Sequence, residues 1–243
     1  MSNKDKKAPE AHSGIENLNE GLTNFGAKVQ QNSKKLGIIV TVIVVVVVAV
    51  FGFIFWNNHN NAESAKKYSA LAPKATAEAM KANPAAQDSV FNAQMLKGLK
   101  ELAKNESGKD GGNLANLDLG ARYYEEGKYK EAIDCLNAAD VNEPIVAANK
   151  KILIGDCYVN LKKYAEALPA YDEAIADAVD NPEIAVRAML KKALVLDEQK
   201  KYADALAVYE KIEAEYTQQA QLLEASGLSV KAYAERERAR LGK

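Results

Sequence analysis

The sequence predicts an all-α chain: a single N-terminal transmembrane helix, then a solenoid of helical hairpins closed by capping helices. Two patterns carry that expectation. Leu36–Trp56 reads LGIIVTVIVVVVVAVFGFIFW, 21 residues without a charge. Further on, three stretches align with one another, starting at Leu119, Ile154 and Lys192, at spacings of 35 and then 38 residues. Composition agrees, because 14 Gly and 6 Pro among 243 residues are few for an all-β chain with many turns. The 32 Lys and Arg nearly balance 33 Asp and Glu, a net charge of −1. That balance argues against a dedicated nucleic-acid binder, which needs a concentrated basic face.

The apolar run comes first in the chain. A helix of that length spans roughly 31 Å at about 1.5 Å per residue, matching the hydrocarbon core of a bilayer. Its many Val residues favour strands in water, but in lipid every backbone group must be paired within the segment, so helix is expected. Phe51, Phe53, Phe55 and Trp56 gather at the C-terminal end, where aromatic rings prefer the headgroup layer. A cleaved signal peptide has a short basic start and an apolar run of about 7–15 residues. Here 35 residues precede a longer run, so a permanent anchor is expected.

The flanks suggest an orientation. Residues 1–35 carry six lysines, with Lys34 and Lys35 abutting the run, whereas Asn57–Ala62 (NNHNNA) has none. The positive-inside rule then puts the tail in the cytoplasm and the rest across the membrane. In a Gram-negative bacterium that far side is the periplasm. Lys34, Lys35 and Trp56 are the expected membrane-interface residues. Within the tail, Ile15, Leu18, Leu22, Phe25 and Val29 form a short apolar stripe. A helix lying on the membrane surface and a partner-binding helix both fit that stripe.

Each aligned stretch contains Lys-Tyr-x-x-Ala, at Tyr129/Ala132, Tyr164/Ala167 and Tyr202/Ala205. Each has a small residue earlier, at Gly120, Gly155 and Ala193, so that a first helix can approach a second closely. Tyr123 and Tyr158 follow three residues later, with Leu196 in the third copy. Gly127 ends the first helix of the first copy, but Lys162 and Lys200 stand at that place in the others. The pattern closely resembles the tetratricopeptide repeat over 113–217. The resemblance implies stacked antiparallel helix pairs, with the tyrosines as core and Pro144 and Pro182 at repeat boundaries.

Such repeats bury their apolar faces only by stacking, so ends need caps. The expected layout is a tail (1–35), a span (36–56), an Ala-rich helical linker or degenerate repeat (57–112), three repeats (113–217) and a C-terminal capping helix (218–243). Two helical stretches are expected in the linker, about 62–82 and 85–104, divided at Asn83-Pro84. NESGKDGG (105–112) reads as a loop.

The search for chemistry finds no phosphate loop, nucleophile elbow or paired-His motif, so no catalytic residue, metal, cofactor or small-molecule substrate is expected. Cys135 and Cys157 fall on neighbouring helices of the stack, and both a disulfide and two free buried thiols fit that placement. By family position, the partner-binding groove is lined by Leu117, Ala121, Tyr124, Ile152, Asp156, Val159, Leu190 and Leu194, with Asp197 and Glu198 beyond them. Chaperone-binding relatives place Lys and Asn where this chain has Leu117, Ala121, Ile152 and Asp156, so their carboxylate clamp is not expected. The lining suggests an apolar groove with an acidic edge, open to a partner segment or filled by the chain's own Ala-rich helices.

The whole layout resembles the ancillary SecYEG translocon subunit family of bitopic inner-membrane proteins. GGNLANLDLGARYYEEGKY and IGDCYVNLKKYAEAL are also similar to membrane-anchored repeat proteins of Bacteroidetes-type bacteria. The resemblance implies a non-catalytic adaptor whose partners are translocon subunits and periplasmic folding factors. The alternative is a scaffold subunit of another cell-envelope secretion or assembly complex.

Overall fold

The computed structural model describes residues 33–242, with side chains from Val42 to Gly242. The apolar stripe of the tail lies outside the described residues, as do the side chains of Lys34 and Lys35. The chain divides into two compact units, 1–59 and 60–243. Among the described residues the structure is entirely helical, with no strand.

Helix α1 (Ser33–Ser69) contains the apolar run and is long and apolar enough to cross a membrane. In the first unit its large side chains are exposed, Phe55 at 76% and Trp56 at 61%. α1 does not stop with the apolar run. It continues to Ser69 and breaks before α2 (Leu71–Ala79). The break has a local cause: Pro73 cannot donate to the carbonyl of Ser69, and its ring clashes there. The single helix expected from about 62 to 82 is therefore two.

In the second unit, a short 3₁₀ turn (Pro84–Ala86) leads into α3 (Gln87–Asn105), and α4 (Asp110–Glu125) follows. The expected loop at 105–112 is thus shorter, because Gly111 and Gly112 already belong to α4 and are buried. A Cβ at Gly111 would lie 2.0 Å from the Ser64 carbonyl oxygen, and one at Gly112 would lie 2.1 Å from that of Glu106. Only glycine allows this approach. The Gly111 N–H donates to Ser64 Oγ at 3.1 Å, which satisfies one of the free donors at the helix start. Glu106 is nearly buried and paired with both Lys67 and Lys109. The two lysines, Lys109 first, hold its carboxyl down to about 2.

The repeats follow as α5 (Tyr129–Ala138), α6 (Pro144–Asn160), α7 (Tyr164–Asp177), α8 (Pro182–Glu198) and α9 (Tyr202–Glu215). Each begins where the sequence has a start signal. Pro144 and Pro182 occupy first helical positions, where a missing N–H costs nothing. The Glu143 carboxylate caps α6 by accepting from Val146 N–H at 2.7 Å, and Asn181 caps α8 by accepting from Ile184 N–H at 3.1 Å. The region expected as one final helix is two, α10 (Thr217–Ala225) and α11 (Val230–Arg240). Gly227, at φ 92°, turns the chain between them.

From α2 to α9 each helix packs on its successor; α9 also packs on α11, and α4–α6, α6–α8 and α8–α10 touch as well. Contacts to the next helix and the next but one define a solenoid. One core joins α6, α7 and α8 around Tyr171, and another joins α8, α9 and α11 around Tyr209. Cys135 and Cys157 are free, with Cys157 fully buried beside Ala132 and Ile133.

Candidate protein-binding groove

The first helix of each pair reaches the groove by the same local device. The small residue at 120, 155 or 193 draws the second helix close and fixes which side of the first helix stays free. A Cβ at Gly120 would meet Leu136 at 2.6 Å, and one at Gly155 would meet the Tyr171 ring at 2.5 Å. On the free side, two clefts flank α8.

The first cleft, of about 310 Å3, is lined by α6, α7 and α8. Val159, Leu194 and Val195 form its apolar wall, and Glu198 stands at the rim. Asp156 also lines it and is held in place: Tyr171 Oη donates to it at 2.7 Å, and Lys191 Nζ donates to both its oxygens at 2.9 Å. Burial, with the carboxylate of Asp156 close by, pushes the Tyr171 phenol well above its ordinary value. The same two causes raise Tyr124, which reaches this region from α4. Asp156 is thereby neutralised within the chain, and the cleft offers an apolar wall with the free carboxylate of Glu198 beside it.

The second cleft, of about 340 Å3, lies between α8 and α10 and is almost wholly apolar. Val186, Leu190, Leu222 and Leu223 line it, with Glu183 and Arg187 at its edge. Leu190 and Leu194 are one helical turn apart, so a single face of α8 supplies both clefts.

Of the residues expected to line a groove, Asp156, Val159, Leu190 and Leu194 do border these clefts. Leu117, Ala121 and Tyr124 are half-buried on α4 and do not line either. Ile152 is a correction: it is 5% exposed and packs in the core of α6, α7 and α8. Asp197 is also diverted, because Arg236 and Arg240 of α11 bind its carboxylate. Sequence reasoning missed Lys191, whose role depends on α8 lying beside α6. It also missed Leu222 and Leu223, assigned to a single cap helix. Among the described residues no cluster of three or more His, Cys, Asp or Glu could hold a metal.

Residues 152–220 match the family model for the tetratricopeptide repeat. Over that stretch the chain is similar to the tetratricopeptide repeat. The matched stretch runs from within α6 to within α10 and includes both clefts' α8 wall. Two crystal structures of MamA are among the similar chains. One is 20% identical with a TM-score of 0.44, covering 65% of this chain and 92% of MamA. The other is 19% identical with a TM-score of 0.47, covering 73% and 92%. No curated protein matches the sequence. The all-helical solenoid is of the tetratricopeptide type, a fold that typically serves as a non-catalytic protein-interaction module.

Proposed function

We propose that this protein is a non-catalytic adaptor, held by one span in a bacterial inner membrane, whose repeats bind protein partners on the periplasmic side. The partners are translocon subunits and periplasmic folding factors, as the overall layout implies. The carrying observation is Leu194, 49% exposed on α8 as part of the apolar wall of a cleft that Glu198 also lines. A single exposed leucine is ordinary, but Leu194 lines the cleft together with Val159 and Val195, and apolar patches edged by polar residues mark interaction sites. An apolar segment with a basic flank fits: its apolar side chains fill the two clefts and its cation meets Glu198. The span supports the reading by confining the groove near other membrane complexes, which raises its effective concentration without new contacts.

The test is capture by the full-length protein in mild detergent, compared with Leu194→Asp. Leu194 is not part of the core, so helicity should be unchanged while captured partners fall several-fold. Translocon subunits and periplasmic folding factors among the lost partners support the reading. A different envelope complex would overturn the translocon role in favour of another scaffold. Undiminished capture by Leu194→Asp would overturn the groove. A thiol-reactive probe that cannot cross membranes, applied to single cysteines placed in the tail and in α10, reports the orientation.

A further inference from the structure

We infer that the exposed face of α3 is a docking surface for anionic phospholipid headgroups of the bilayer in which the chain is anchored. This rests on the membrane reading above. Lys97, Lys100 and Lys104 are all exposed on α3 and follow one another at intervals of three and four residues. That spacing puts them on one helix face. Among the described residues neither Lys97 nor Lys104 is in an ion pair, and Lys100 overlies the Tyr123 ring, 5.8 Å from its centroid. A lysine in a last turn is stabilised by the helix dipole, which accounts for Lys104 but not for Lys97, two turns earlier.

The charge of the chain points the same way. Residues 60–109 hold 8 Lys and 5 Asp or Glu, a net +3, while the chain as a whole is −1. Residues 1–59 hold 6 Lys and 4 acids, a net +2, so residues 110–243 carry −6. The part of the repeat unit that follows the apolar run most closely is therefore basic, and the rest is acidic. Near an anionic surface the first is attracted and the second repelled, within a Debye length of about 8 Å at physiological salt. The contact leaves the α8 clefts to a protein partner, because α3 contributes to neither.

The experiment uses the full chain in nanodiscs of phosphatidylcholine alone or phosphatidylcholine mixed with phosphatidylglycerol. Lysine acetylation by an N-hydroxysuccinimide ester is read site by site by mass spectrometry. Lys97, Lys100 and Lys104 should label several-fold more slowly in the anionic discs, with the difference erased by high salt. Lys200 and Lys201 serve as references and should not change. Equal labelling of the α3 lysines in both discs would overturn the inference while leaving the anchor intact. Failure of the chain to enter either disc would overturn the membrane reading, and this inference with it.

Discussion

Gly155 lies so close under Tyr171 that a Cβ on the glycine would sit 2.5 Å from the ring. The ring is 1% exposed, anchored through its hydroxyl to Asp156, and central to the core of α6, α7 and α8. It cannot move away cheaply. Overpacking of this kind costs about 1–3 kcal/mol, occasionally more, against about 1 kcal/mol that Ala gains over Gly in a helix. Gly155→Ala is expected to lose up to about 2 kcal/mol net, read as a lower thermal midpoint by circular dichroism. Gly52→Ala, in α1 with nothing within 4 Å, is the control that lacks the clash and should not lower the midpoint.

The turns between paired helices give a prediction of opposite sign. Lys162 and Lys200 take φ of 59° and 60°, the left-handed conformation that Gly127 takes at 74° in the first repeat. In each turn the following N–H closes back on the carbonyl five residues earlier: Lys128 to Tyr123, Lys163 to Tyr158, Lys201 to Leu196. This is the Schellman termination, which favours glycine at the left-handed position. Lys162→Gly and Lys200→Gly should each stabilise the fold by about 0.5–1 kcal/mol, once the glycine's greater freedom in the unfolded chain is subtracted. Chemical denaturation at neutral pH measures this; destabilisation by both variants would contradict it.

The two cysteines should react in a fixed order. Burial, with a smaller push from Asp156, raises the Cys157 thiol to about 12, and Cys157 is fully buried. Cys135 is half-buried and raised by the same desolvation. The thiolate is the reactive form, so both resist at neutral pH. In the native protein a maleimide is expected to label Cys135 slowly and Cys157 only after denaturation. Equal native labelling rates would show that the α5–α6 contact opens readily.

Glu106 sets an acid dependence. Its folded-state pKa of about 2 lies below the ordinary 4.5. The stability it contributes is therefore fully present above about pH 4.5 and lost as pH falls towards about 2. Glu106→Gln should be less stable at neutral pH and should lose less stability than the wild type on acidification through that window. The two curves should converge at its lower end, as followed by denaturant midpoints against pH.

Much of the fold was legible in the sequence because repeats announce themselves twice. Lys-Tyr-x-x-Ala marks the start of α5, α7 and α9, and the small residues at 120, 155 and 193 mark the close crossings. Helix ends were less legible. Pro73 lies in an Ala-rich stretch that reads as helix throughout, yet it breaks α1 from α2. Gly111 and Gly112 look like loop residues but serve as the flat contact on which Ser64 and Glu106 rest. The groove was half legible. Positions on α6 and α8 that face outward could be counted along the helix, but Ile152 falls one face further in than its family position suggested.

By itself the sequence determined that the chain is helical, that a charge-free run precedes the repeats, and which residues recur from one repeat to the next. These are properties of local composition and period, and they need no knowledge of neighbours. Tertiary structure alone decided which polar groups are spent inside the fold. Asp156 is paired with Lys191 and accepts from Tyr171, and Asp197 is paired with Arg236 and Arg240, whereas Glu198 lines a cleft. Three carboxylates on first helices look alike in sequence. They differ only because partners 15 to 43 residues away reach two of them, and that pairing across the stack leaves one for a ligand to find.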